Sequence, residues 1–116
     1  MKENVVADKS KAFALRIIKL YKFLQGERQE YILSKQVLRS GTSIGANVRE
    51  AIRGQSKADF FAKLTIALKE ASETEYWLEL LYESDYIDEV SFNSIYSDCK
   101  EVVKLLTAIT KTIKYN

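Results

Sequence analysis

Four cations in one stretch of the sequence have the spacing to act together. Lys35, Arg39, Arg49 and Arg53, projected at 100° per residue, fall within about 80° of helical arc, opposite the apolar face of the same segment. Thr42 and Ala46 lie between them on that strip and are short, which leaves the surface open. A row of cations over small residues has the form needed to follow a phosphate backbone. The same row also reads as an ordinary solvated helix face. Glu50 follows Arg49 directly and lies close enough on the wheel to neutralise part of the strip by pairing with Arg53.

Other constellations point away from catalysis. The carboxylates Glu70, Glu73, Glu79 and Glu83 suggest a di-metal site, because helical bundles hold such centres with Glu-x-x-His motifs. The chain has no histidine, so no metal site is expected, nor is a His-based triad or a His-ligated cofactor. Cys99 is the single cysteine, which excludes an intrachain disulfide and CxxC chemistry. It sits between Ile95 and Val102 on an apolar seam and reads as a small core residue. Ser40-Gly41-Thr42-Ser43-Ile44-Gly45 lacks the G-K-[ST] ending of a phosphate loop, and reads as a segment of close helix packing. Tyr76 and Trp77 point about 100° apart on a helix and cannot both face a core. At least one of them packs at an interface or stacks on a base. No nucleophile–base pair can be assembled, and a non-enzymatic protein without cofactors is expected.

The elements that position these residues follow from apolar spacing. The chain has 116 residues and no proline, where average usage of ~5% predicts about six; long unbroken helices are expected. Val6, Ser10, Phe13, Ile17, Leu20 and Leu24 step by three and four, predicting a first helix over about 8–25 with Gly26 as its C′ residue. Leu33, Val37, Leu38, Ile44, Val48, Ala51 and Ile52 share one arc of a second helix over about 30–53. Gly41 and Gly45 interrupt it, which requires either a kink or the close approach of another backbone or ligand. Ser56-Lys57-Ala58-Asp59 resembles a capping box and opens a third helix over about 57–83. Asp88 or Ser91 caps a fourth over about 89–114, in which Phe92, Ile95, Cys99, Val102, Leu106, Ile109 and Ile113 form an a/d seam. Short connections make neighbours antiparallel, so residues 1–116 are expected to form one all-α domain, an antiparallel up-down four-helix bundle. The polar N-terminus, the lone cysteine and the absence of a long apolar run fit a cytoplasmic protein with no membrane partner.

The net charge of +2 conceals segregation. Residues 1–69 carry 14 Lys and Arg against six acids, a balance of +8, whereas 70–98 carry nine acids and no cation. The remainder, 99–116, stands at +3. Glu75, Glu79 and Glu83 repel one another at i, i+4 spacing, a cost that a cation from another subunit would relieve.

The run Leu38-Arg39-Ser40-Gly41-Thr42-Ser43-Ile44-Gly45-Ala46-Asn47-Val48-Arg49-Glu50-Ala51 carries a family resemblance, as do Ser56 to Leu64, Ala67 to Ala71 and Glu75 to Leu78. They resemble the four-helix bundle proteins encoded in intervening sequences of 23S ribosomal RNA genes, also labelled S23 ribosomal proteins. That family is similar in fold to the accessory variability determinant of diversity-generating retroelements, a five-subunit ring whose basic surface contacts nucleic acid and a reverse transcriptase. The resemblance implies a homopentamer that binds RNA or DNA, and its motif matches here at Arg39, Ser43, Asn47 and Glu50. Ser43 and Asn47 lie at the edge of the apolar arc, where polar groups cross-link helices or subunits; Glu50, Tyr76 and Trp77 are candidates for the same role. The reading is a non-enzymatic oligomer that contacts nucleic acid through Lys35, Arg39, Arg49 and Arg53. The alternative is a protein–protein adaptor whose charged faces and aromatics dock a protein partner.

Overall fold

The computed structural model describes residues 2–115, and the three-four apolar spacing resolves into α1 (Lys2–Gly26), α2 (Leu33–Ile52), α3 (Lys57–Glu83) and α4 (Glu89–Tyr115). Each helix packs on its chain neighbours and α1 closes against α4, while the diagonal pairs share no close backbone approach among the described residues. The result is an all-α, up-down bundle with extents of 46 × 21 × 19 Å. Register is antiparallel at every seam. Gly41 lies against Ile17 and Gly45 against Ser10, Glu50 pairs with Lys63, Tyr96 with Glu79 and Lys9 with Glu101.

The core gathers the expected rows. Phe13, Ile17 and Leu24 meet Val37, Ile44 and Val48, Leu64, Leu78 and Leu81, and Cys99, Val102 and Leu106, all fully buried. Ser10, the one polar member of the α1 row, is also buried and donates its hydroxyl to the Ala7 carbonyl within its own helix. Phe92 and Ile113, at the two ends of the α4 seam, are only partly covered.

Helix ends are set by local side chains, and here several expectations need correction. α3 begins where Ser56 accepts from the Asp59 amide at 3.0 Å, and α4 where Asp88 accepts from the Ser91 amide at 2.7 Å; Asp88, not Ser91, is the cap. α1 starts by Lys2 rather than near Asp8. Gly26 is its last helical residue and has no positive φ; the left-handed residue in that connection is Gln29, with φ 53°. α2 begins at Leu33, not Glu30. Glu30 instead folds back beneath the helix, its carboxylate accepting from the amides of Ile32, Leu33 and Ser34 at 3.2, 3.0 and 2.6 Å. Those first-turn N–H groups have no partner within the helix, so the carboxylate satisfies them and complements the positive end of the helix dipole. α3 ends in a Schellman arrangement, with Tyr86 N–H on the Leu81 carbonyl, Asp85 N–H on that of Tyr82, and Asp85 left-handed at φ 67°.

The antiparallel path converts linear charge segregation into axial segregation. Residues 70–98 occupy the C-terminal half of α3, the 84–88 turn and the start of α4, all toward one end of the bundle. The connection 27–32 lies at that same end, where Arg28 donates to the Asp85 carbonyl at 2.8 Å and stands over the Tyr86 ring. The other end holds the 53–56 connection, with α4's end beside it: Lys57, Ala58 and Phe61 share a hollow with Ile113 and Lys114.

Candidate nucleic-acid interface

Helix α2 and its C-terminal cap residue Arg53 present all four stripe cations to solvent, but α3 breaks the stripe in two. Arg39 lies opposite Glu70, at 3.2 Å, and also pairs with Glu73. Its charge is therefore neutralised within the chain. Lys35 lies beyond it toward the acidic end, about 27 Å along the axis from Arg53 at 1.5 Å per residue. The continuous four-cation track expected from helical projection is not present.

The far half of the stripe forms a different and better site. Arg49 and Arg53 have no ion pair among the described residues and stand at the rim of an open concavity of about 1040 Å³. Lys11 on α1 and Lys63 on α3 also line it. The floor is built from short residues, Gly45 and Ala46 on α2 with Ala7 and Ala14 on α1. Two acids share the rim. Glu50 is paired with Lys63 at 3.0 Å rather than with Arg53, and Asp59 stands in the first turn of α3. Neither Lys11 nor Lys63 was a candidate from the sequence. Each belongs to another helix and reaches this level only through the antiparallel register. The tight seam of α1 on α2 at Gly41 and Gly45 brings Lys11 to the rim, and α2 stays helical through both glycines.

Within the chain, among the described residues, Ser43 and Asn47 bond to each other and not to a second helix. Asn47 donates to the Ser43 carbonyl at 2.9 Å and to its hydroxyl at 3.2 Å, both one turn back in α2. A buried polar link between α2 and α3 is the pair of Ser40 and Thr74 hydroxyls at 2.8 Å. Trp77 donates its indole N–H to Glu73 at 2.8 Å and packs its ring against the core. Tyr76, tilted beside it at 5.3 Å, is 54% exposed. Both aromatics lie about 20 Å along α3 from Lys63, away from the concavity.

The acidic block is largely paired within the chain. Besides Glu70 and Glu73, Glu75 stands 3.2 Å from Lys100, Glu79 accepts from the Tyr96 hydroxyl at 2.6 Å, and Asp98 meets Arg16 at 2.7 Å. Within the series Glu75, Glu79 and Glu83, Lys100 of α4 offsets the charge of Glu75, while Glu79 takes a hydrogen bond from the neutral Tyr96 hydroxyl. Among the described residues no cluster of three or more His, Cys, Asp or Glu is placed to hold a metal, and no helix is long and apolar enough to cross a membrane.

Cys99 is fully buried, its thiol donating weakly to the Ala71 carbonyl at 3.6 Å. Burial, with a smaller contribution from the Glu75 charge, pushes its pKa up to about 12. The thiolate is the reactive species. The native thiol is therefore expected to resist an aromatic disulfide reagent at pH 8 and to react fully once urea unfolds the chain. Prompt native labelling would contradict this burial.

Comparison with known proteins places the chain. The family model described as 23S rRNA-intervening sequence protein matches residues 2–108. The chain belongs to this family. A solved structure, a protein of unknown function from the S23 ribosomal protein family of Bacteroides thetaiotaomicron determined at 1.70 Å, is 61% identical. It superposes with a TM-score of 0.94 over 96% of this chain and 99% of its own. No curated protein matches. For a member of the 23S rRNA-intervening sequence proteins, the exposed cations at the α2–α3 end are the feature that asks for a ligand.

Proposed function

We propose that this protein is a non-enzymatic binder of RNA or DNA backbone, acting through its basic end. The observation that carries the reading is the pair Arg49 and Arg53, exposed and without ion pairs among the described residues, at the rim of a concavity they share with Lys11 and Lys63. Guanidinium groups suit phosphate because their planar fork makes two parallel hydrogen bonds. Contact through phosphates implies little sequence preference and strong salt dependence. With Lys11, Arg49 and Arg53 as contacts, the log–log salt slope is about −3 for one chain on a duplex. Self-assembly into a ring, implied by the family resemblance, would multiply both the contacts and the slope.

The test is retention of a fluorescent RNA hairpin by the wild type and by Arg49→Glu/Arg53→Glu. The double variant is expected to lose at least a hundredfold in affinity at low salt while keeping its helical signal and melting temperature. Equal retention by both proteins would overturn the reading. Lys35→Glu is expected to cost less than threefold, since that residue stands apart from the concavity. The protein-adaptor reading draws its support from the opposite end of the bundle, where Ile32 and Val90 are 74% and 80% exposed. A partner captured from nuclease-treated lysate and lost on Ile32→Ser or Val90→Ser would favour it.

A further inference from the structure

The shape and composition of the concavity select among nucleic acids. We infer that it seats the sugar–phosphate backbone of a double helix rather than the bases of a single strand; this rests on the backbone-binding reading above. None of the side chains lining the concavity is aromatic. Proteins that hold single strands without sequence preference do so largely by stacking bases on aromatic rings. Here the exposed aromatics stand elsewhere. Tyr76 lies about 20 Å along α3 from Lys63, and Phe23, near the end of α1, and Tyr31, in the connection after it, sit at the opposite end of the bundle.

What the site offers instead suits a rigid ridge. Ala46 is exposed and carries only a methyl group, so a backbone can approach this side of α2 closely. Arg49 and Arg53 are one turn apart, about 6 Å along the axis, which corresponds to roughly two axial phosphate steps of ~3.4 Å on one strand. Lys11 and Lys63 come from the flanking helices, so the cations stand in different rows across the concavity rather than in a single file. Glu50 faces Lys63 and keeps that cation partly occupied, leaving α2 and α1 as the principal donors. Recognition of a duplex through phosphates and overall shape needs no base contact.

The experiment measures anisotropy with RNA and DNA hairpins and with unpaired strands of equal phosphate number, using the wild type, Ala46→Trp and Arg49→Glu/Arg53→Glu. Ala46 is exposed, so tryptophan there leaves the core untouched while raising the floor and supplying a stacking surface. The wild type is expected to bind a hairpin at least fivefold more tightly than its unpaired counterpart. Ala46→Trp is expected to weaken hairpin binding about tenfold and to strengthen single-strand binding. Unpaired strands bound as tightly as hairpins, yet lost in the arginine double variant, would overturn the duplex inference and leave the backbone reading standing. A hairpin preference that survives Ala46→Trp unchanged would come from charge density alone and would also overturn it. Retention of neither form by the wild type would overturn both.

Discussion

Gly41→Val is expected to destabilise the bundle by about 3 kcal/mol, lowering the melting temperature by roughly 10 °C for a chain of this size. A Cβ added at Gly41 would lie 2.7, 2.9 and 3.1 Å from Cγ1, Cγ2 and Cδ1 of Ile17. Ile17 is fully buried, and its β-branching restricts the rotamers by which it could yield. Gly41→Ala meets the same atoms but gains about 1 kcal/mol of helix propensity. It should therefore lose less than valine. The neighbouring glycine is the internal control. A Cβ at Gly45 stands 3.4 Å from the Ser10 carbonyl, an ordinary contact, so Gly45→Ala is expected to be neutral or slightly stabilising. Gly26→Ala, with open space around it, should stabilise by roughly 0.5–1 kcal/mol. Urea unfolding of the four variants checks the order. If Gly41→Ala matched Gly45→Ala, the glycine would not be there to admit α1.

Glu30→Ala is expected to cost about 2–4 kcal/mol, an unusually large loss for an acid on a connecting segment. Glu30 is 8% exposed and its carboxylate holds three successive amides at the start of α2, while Ser34 returns a hydrogen bond to the Glu30 carbonyl at 2.8 Å. Alanine leaves those amides without an acceptor. Glu30→Gln keeps one carbonyl oxygen and should retain about half of the stability lost with alanine. Hydrogen exchange gives the local readout. The amides of Ile32, Leu33 and Ser34 should exchange much faster in Glu30→Ala, and unchanged protection there would show that the cap is dispensable.

These two positions mark where reading the sequence succeeds and where it stops. The bounds of α3 were legible because Ser56 and Asp59 form a cap whose partners are three residues apart. The α4 seam was legible because its three-four spacing runs unbroken from Phe92 to Ile113. Glu30 was misread as a first helical residue, since an acid near a helix start looks the same whether it is inside the first turn or folded beneath it. At Gly41 and Gly45 the spacing announced a close approach without saying which glycine needs it; that depends on where Ile17 and Ser10 fall on the facing helix. Arg39 was placed on the right face of α2, but a helical wheel contains no neighbour, and Glu70 and Glu73 come from 31 and 34 residues away. Lys11 and Lys63 were missed for the converse reason. Neither belongs to a cationic row of its own, and only the register of three helices gathers them around Arg49 and Arg53.

The axial separation of charge has a consequence for how the chain would meet a polyanion of the kind proposed above, before any contact forms. A body 46 Å long with acids toward one tip and unpaired cations toward the other experiences a torque in the field of a polyanion. It is turned as it diffuses, so encounters arrive basic tip first and a larger share of collisions is productive. Within a screening length of ~8 Å at physiological salt, this alignment acts only over the last stretch of approach. On the binding proposed above, association rates should therefore fall with added salt faster than the contacts alone would require, with the acidic tip left pointing outward, away from the bound duplex.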